Sequence, residues 1–106
     1  MALVTLEEAK EYLRVDSADE DATIASLLLT ACILTKEVGR ITDTTWALVE
    51  AGDDSSTVLV QIRAVCRVAA FYTLGYLYEH RDEADHHELL LTLRSLLFSI
   101  REGGLF

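Results

Sequence analysis

Residues 57–80 read TVLVQIRAVCRVAAFYTLGYLYEH, a segment whose apolar side chains would lie on nearly all sides of a helix. Such a helix lies at the centre of a core, or it packs against further subunits as well. Ser56 or Thr57 can cap its first turn through a side-chain oxygen. Arg63 and Arg67, four positions apart, form its basic stripe. We predict a central helix here, with more apolar surface than a chain of 106 residues can cover.

Three further helices are predicted from capping signals and from apolar residues that repeat every three or four positions. They cover about residues 6–14, about residues 19–39, and the segment between the charged turn 81–85 and Gly103. Thr5 and Glu8 match a capping box before the first of them, and Ser17 with Glu20 is a candidate before the second. The absence of proline from the sequence fits a helix-rich chain.

Residues 41–57 are expected to form a long loop, because Asp, Thr, Gly and Ser surround one short apolar patch at 46–49. Loops of this length in small domains are commonly functional. Trp46 can either close the edge of the core or anchor an interface. The expected fold is therefore all-α: one domain over residues 1–106, a small bundle of about four helices with this loop between helices two and three. One helix is short and N-terminal, two are long, and one is C-terminal.

Composition and charge argue against several classes of function. Hydrophobic residues make up 51% of the chain, enough for a real core, and 9 basic against 18 acidic residues leave a net charge of −9. That charge repels nucleic-acid phosphates and anionic membranes. The longest uncharged stretch, residues 22–35, is shorter than the roughly 20 apolar residues of a spanning helix. With neither a membrane span nor a signal-peptide pattern expected, we expect a protein made in the cytosol.

Candidate chemical groups favour structural explanations. Cys32 and Cys66 are expected to be buried reduced thiols, with a single disulfide as the alternative. The histidines and carboxylates of residues 80–87 are typical of a solvated helix start, and zinc binding is the less favoured interpretation. The acids of residues 16–21 lack the glycine and closing glutamate of a calcium loop. Without a nucleophile or phosphate-loop motif, we expect no enzyme, no metal and no cofactor.

Three segments together resemble the head–tail connector (adaptor) family of long-tailed bacteriophages, also labelled phage DNA-packaging proteins. They are LEEAKEYLRVD (6–16) with the acidic run after it, YLYEHRD (76–82), and LRSLLFSIR (93–101). The second resembles the family's Tyr-Glu-x-Arg-Glu segment, with Asp82 in place of the last Glu, and the third its closing Leu-Leu-x-x-x-Arg stretch. Their order and spacing over nearly the whole chain carry the resemblance.

The resemblance implies a helical virion protein at the head–tail junction, assembled in the host cytoplasm. Its subunits would form a ring beneath the portal, expected to be twelvefold in the phage. The ring would extend the DNA channel and join the capsid to the tail. Its implied partners are further copies of itself, the portal protein, and the next connector or a tail-completion protein. DNA would pass through without sequence-specific binding.

A ring needs heterologous contacts, in which one face of a subunit meets a different face of the next. We hypothesise that the acidic N-terminal half meets the basic stripe, that the 41–57 loop lines the lumen or contacts a neighbour, and that the C-terminal tip docks on the portal. The corresponding residues are Arg63, Arg67, Trp46, Glu20 and Asp21 for the subunit interface, Asp43, Asp53 and Asp54 for the loop, and Leu105 and Phe106 for the tip.

The alternative is a protein of another class. A small helical adaptor or regulatory protein could dimerise through the helix at 57–80 and bind a partner helix. The surplus apolar surface of that helix is compatible with both interpretations, so oligomeric state distinguishes them.

Overall fold

The computed structural model describes residues 2–82 and 85–100, and the regular secondary structure of these residues is entirely helical. The elements are α1 (Leu6–Leu13), α2 (Asp21–Val38), α3 (Asp43–Ala51), α4 (Thr57–Glu79) and α5 (His87–Leu97), followed by a 3₁₀ turn at Phe98–Ile100. The predicted all-α class is confirmed. The described residues contain five α-helices, one more than the number predicted.

The additional helix is α3, so the prediction of an open loop over residues 41–57 is wrong. Thr42 caps this helix by accepting a hydrogen bond from the Thr45 N–H at 3.2 Å. Trp46 and Val49, three positions apart, are both buried, with 9% and 0% of their surface exposed. Gly52 ends the helix in a left-handed conformation with φ 73°. A capped, two-turn helix thus crosses the segment because its apolar side faces the core.

The first predicted capping box is confirmed and the second is wrong. Thr5 Oγ1 accepts the Glu8 N–H at 3.1 Å, while Glu8 Oε1 accepts the Thr5 N–H at 3.0 Å. Helix α2 begins at Asp21, and Glu20 precedes it without a side-chain bond to the helix backbone. Ser17 accepts the Asp19 N–H at 3.4 Å instead. The Glu20 carboxylate points elsewhere, toward the end of α4.

Three helices end in the same left-handed turn. The residues with positive φ are Arg14 (60°), Arg40 (53°) and Gly52 (73°). In each case the N–H of the following residue bonds a carbonyl five positions earlier, as in a Schellman motif: Val15 to Lys10, Ile41 to Lys36, and Asp53 to Leu48. Gly39 is the C-cap of α2, close to the predicted end of that helix, and its backbone is right-handed. Glycine suits this position because a Cβ would lie 3.0 Å from the Thr35 carbonyl oxygen.

Helix α4 is central and contacts each of the other four α-helices, most extensively α2. Its buried side is Ile62, Cys66, Ala69, Ala70, Thr73, Leu74 and Leu77. The small side chains on this side permit a close approach of α2. Thr35 and Thr73 are buried without cost to hydrogen bonding, since each hydroxyl donates to a carbonyl four residues earlier at 2.8 Å. A larger apolar cluster contains buried residues from α1, α2, α3 and α4, and a smaller one contains buried residues from α4 and α5.

Among the described helices, α4 alone has the length and apolar composition that would let it cross a membrane. The central helix of a folded core has the same length and composition. In this fold, α4 packs against the other helices, and its two arginines bind groups within the chain. Packing in the fold therefore explains the apolar residues on the buried side of α4, while other apolar residues of this helix stay exposed.

The structure predicts that Thr42→Ala destabilises the protein by about 1 kcal/mol, because the first turn of α3 loses its side-chain cap. Thr44→Ala is the matched control: Thr44 is exposed on the same helix, and alanine is the better helix former. Urea unfolding followed by circular dichroism measures both. Equal stabilities of the two variants would contradict the cap assigned to Thr42.

Candidate functional site

A row of side chains on the solvent side of α4 leaves apolar surface in water. Val60, Ala64, Val68 and Tyr72 are spaced four residues apart and all are exposed, Val60 by 47% and Val68 by 58%. Residues at this spacing lie side by side along a helix and form a ridge. Scattered exposed apolar residues are ordinary, whereas a contiguous row indicates a contact surface. We call these four residues the α4 row.

A groove of about 640 Å³ runs along the α4 row. Its lining residues are Gly52, Asp53, Asp54, Val60, Arg63, Ala64, Arg67, Val68 and Phe71. The groove is acidic at the α3–α4 turn, and along α4 it is lined by apolar side chains and by Arg63 and Arg67. A second depression of about 330 Å³, lined by Glu8, Glu11, Tyr12 and Phe71, adjoins it at Phe71. The rings of Tyr12 and Phe71 are 4.9 Å apart, so α1 bounds this end.

The two predicted interface arginines bind groups within the chain. Arg63 Nε donates to the Val49 carbonyl at 3.1 Å, at the end of α3. Arg67 donates to the Leu3 carbonyl at 2.7 Å and forms an ion pair with Glu8 at 2.6 Å. Both side chains also line the groove. The basic stripe therefore fastens α3 and the N-terminal segment to α4, and it is one wall of the candidate site.

The Glu8–Arg67 pair is the strongest electrostatic feature of this wall. The Arg67 guanidinium, helped by the Thr5 N–H, lowers the pKa of Glu8 from 4.5 to about 2. The same hydrogen bond raises the pKa of Arg67. Arg67 also lies over the Phe71 ring, 5.4 Å from its centroid. Charge and ring contact together hold the guanidinium in one position.

Glu20 and Asp21, the predicted acidic partners in a neighbouring subunit, also bind within the chain. Glu20 accepts from the Tyr78 hydroxyl at 2.7 Å and from Arg81 at 3.1 Å. The Tyr78 bond and the charge of Arg81 lower the pKa of Glu20, and the carboxylate raises the pKa of Tyr78. Asp21 pairs with Lys10 at 2.8 Å. These acids join α2 to the end of α4 and to α1.

The remaining predicted site residues divide between the groove and other places. Asp53 and Asp54 line the groove, and Asp53 accepts the Ser55 N–H at 2.8 Å. Asp43 instead pairs with Lys36 at 2.8 Å, which lowers the pKa of Asp43 and raises that of Lys36. Trp46 is buried in the core. Leu105 and Phe106 lie outside the described residues.

A second exposed row, on α2, is absent from the predicted site. Ala25, Leu29, Ile33 and Glu37 are four residues apart and exposed, Leu29 by 63% and Ile33 by 51%. We call them the α2 row. Ile24, Leu28 and Ala31 face the core, and at about 100° per residue Leu29 and Ile33 point away from it. Helical spacing in the sequence is a sufficient signal for this row, because Leu29 and Ile33 lie outside the repeat that contains Ile24, Leu28 and Ala31.

The two rows lie on two different helices, each on the side that faces away from the buried residues of its own helix. On α4, Cys66 and Ala70 face the core, whereas Ala64 and Val68 lie on the far side. One copy therefore offers two different exposed rows, one on α2 and one on α4.

The two cysteines are in settings that disfavour the thiolate. Cys32 and Cys66 are free thiols, and burial raises their pKa values to about 11 and about 12. Thiols with raised pKa are poor nucleophiles because the thiolate is the reactive form. Within residues 2–82 and 85–100, no group of three or more His, Cys, Asp or Glu side chains is arranged to hold a metal ion.

No protein-family model, no curated protein and no solved structure matches this chain. The resemblance of its three segments to the connector family therefore stays a prediction. The two apolar rows and the groove are the features on which a functional proposal can be built.

The Glu8–Arg67 pair predicts a stability change in acid. Because folding lowers the pKa of Glu8, the ionised carboxylate favours the folded state above about pH 5, and this contribution is lost as the pH falls toward 2. Glu8→Gln should therefore be less stable than the wild type at neutral pH, with a gap that closes in acid. Since the Glu8 side chain is 39% exposed, solvent screening limits the gap to about 1 kcal/mol.

Urea unfolding at a series of pH values measures this gap. Glu7→Gln is the control, because it removes an exposed carboxylate from the same turn and leaves the Glu8–Arg67 pair in place. The stability of Glu7→Gln should fall in acid as that of the wild type does, whereas Glu8→Gln should not show this fall. A gap between wild type and Glu8→Gln that stays constant from neutral pH to pH 2 would contradict the assignment.

Proposed function

We propose that this chain is a ring-forming head–tail connector subunit of a long-tailed bacteriophage. Its ring would lie beneath the portal, extend the DNA channel and join the capsid to the tail. One observation carries the proposal: a single copy exposes two different rows with apolar side chains, one on α2 and one on α4. Two unlike faces on one subunit are what a heterologous, ring-closing contact requires.

The small size of these rows predicts that a single contact between two subunits is weak, and that a closed ring is stabilised by many such contacts together. Fully burying a Val, Leu or Ile side chain contributes about 1.5 to 3 kcal/mol, and these side chains are already about half buried. Four such side chains per contact must offset the loss of rotational and translational freedom and the repulsion between subunits of charge −9. Rings should therefore form at high protein concentration or on the portal as a template.

The net charge also suits a conduit for DNA. An acidic protein does not retain phosphates, so DNA would slide through such a ring without sequence-specific binding. The order and spacing of the three connector-like segments support the same role. The further partners of the ring would be the portal and the next connector or tail-completion protein.

One observation favours the alternative, a small dimeric adaptor or regulatory protein. The groove of about 640 Å³ beside α4 is elongated along a helix and apolar at its centre, as expected of a site for a partner helix. Such a protein would pair two α4 faces and would leave the α2 row uncovered. That uncovered row makes it the less complete account.

Sizing of the concentrated wild-type protein tests the proposal. We expect closed rings by negative-stain electron microscopy and a matching large species by sedimentation velocity, with the ring fraction rising with concentration and on addition of the cognate portal protein. A limiting species of two 11.8 kDa chains would support the adaptor. A strictly monomeric protein, even with portal present, would overturn the connector.

A further inference from the structure

We infer that the groove beside α4 is the binding site for the α2 row of a second copy of this chain. The inference rests on the proposed ring and names the contact that builds it. In this contact Leu29 and Ile33 of one copy enter the groove of the next, between Val60 and Val68. Each subunit then gives its α2 row to one neighbour and receives the α2 row of the other.

The two rows fit by shape. Both are made of residues four positions apart, and helices packed through two such ridges cross at about 50°, the commonest arrangement in globular proteins. In the α4 row the small Ala64 lies between Val60 and Val68 and leaves a gap for a branched side chain. In the α2 row the small Ala25 lies one turn before Leu29, and it leaves a gap for a side chain of the α4 row of the other copy.

Charge selects the direction in which the second copy binds. Residues 22–35 of α2 carry no charge, and the exposed Arg40 follows the end of this helix. Asp53 and Asp54 lie at the end of the groove where α4 begins. An antiparallel arrangement brings Arg40 to these aspartates, and Glu37, one turn earlier, faces toward Arg63. The reverse arrangement would bring the acidic start of α2 onto Asp53 and Asp54, which like charges oppose.

The two arginines in the wall of the groove already have partners within the chain. Arg63 and Arg67 would lose contact with water when a neighbour binds, and an unpaired buried charge is strongly destabilising. Here Arg63 donates to the Val49 carbonyl, and Arg67 is paired with Glu8. The uncharged part of the α2 row, Ala25, Leu29 and Ile33, can therefore cover Arg67 without a counter-charge, and Glu37 of the same row supplies one for Arg63.

A mixing experiment with two variants tests the contact. Leu29→Glu blocks the α2 row and Val68→Glu blocks the groove, both at exposed positions where the fold should survive, as circular dichroism will verify. Each variant alone should need a protein concentration roughly 30-fold or more above that of the wild type to form rings. Mixed, they retain one intact contact, between the α2 row of Val68→Glu and the groove of Leu29→Glu.

Native mass spectrometry of the mixture should show a heterodimer of two 11.8 kDa chains and no rings, at a concentration several-fold above that at which the wild type assembles, because a single contact lacks the cooperativity of a closed ring. Homodimers of Leu29→Glu would instead show that two α4 faces pair, and they would overturn the inference. Folded variants that give no heterodimer, beside a wild type that forms rings, would overturn it as well.

Leu91→Glu is the control, because it places the same charge on an exposed leucine of α5 outside both rows. It should form rings at the wild-type concentration, and a loss of assembly equal to that of Leu29→Glu would count against a specific contact. If the wild type forms no ring even with portal present, the proposed function fails. If the wild type and both blocked variants form rings equally, only the inferred contact fails.

A charge exchange tests the direction of binding. Arg40→Glu and Asp54→Arg should each raise the concentration needed for assembly by roughly tenfold, since each places like charges together at the end of the groove. The double variant restores an opposite pair and should assemble near the wild-type concentration. Additive losses in the double variant would overturn the antiparallel arrangement.

Discussion

Helices α2 and α4 pack closely through small side chains, and this contact decides where the other helices can lie. Cys66, Ala69 and Ala70 let the two backbones approach, and the buried hydroxyl of Thr73 is satisfied by its own helix. With α2 on one side of α4, only the short helices α1, α3 and α5 remain to cover the rest. They reach its flanks, so the far side of α4 stays open. The apolar row there is a consequence of the packing.

Two arginines then determine how much of α4 stays open. Arg63 holds the end of α3 through the Val49 carbonyl, and Arg67 holds the N-terminal segment through Leu3 and Glu8. Beyond Arg67, the ring of Tyr12 lies against α4 where Gly75 provides room; a Cβ there would be 3.2 Å from the ring. The groove therefore extends from the α3–α4 turn to α1, and the residues that bound it are also those that fasten the peripheral helices.

Sequence reasoning predicts the helices whose signals are local. The Thr5–Glu8 box and the cap at Ser56 involve residues three positions apart, and both are observed. α3 was missed because two turns of Thr, Asp and Ala carry a weak apolar signal, although Thr42 and Gly52 mark its ends. The partners of Arg63 and Arg67 could not be predicted, because each arginine meets a backbone carbonyl that only the folded chain brings near. A pattern of charges indicates which side chains are polar, but it does not reveal which carbonyls will face them.

The sequence of one subunit likewise does not determine how many subunits a ring would contain. In the proposed contact, a few apolar side chains on each helix determine which faces meet, and the charges at its ends determine the direction. Neither feature fixes the crossing angle to within the few degrees that separate one subunit number from the next, because helix packing angles scatter by about 15° to 20° around their preferred values. Subunits of charge −9 also repel one another, which favours the arrangement that spaces them most widely. In the proposed connector, the count is therefore set by the partner on which the ring assembles, and the subunit supplies an interface tolerant enough to follow it.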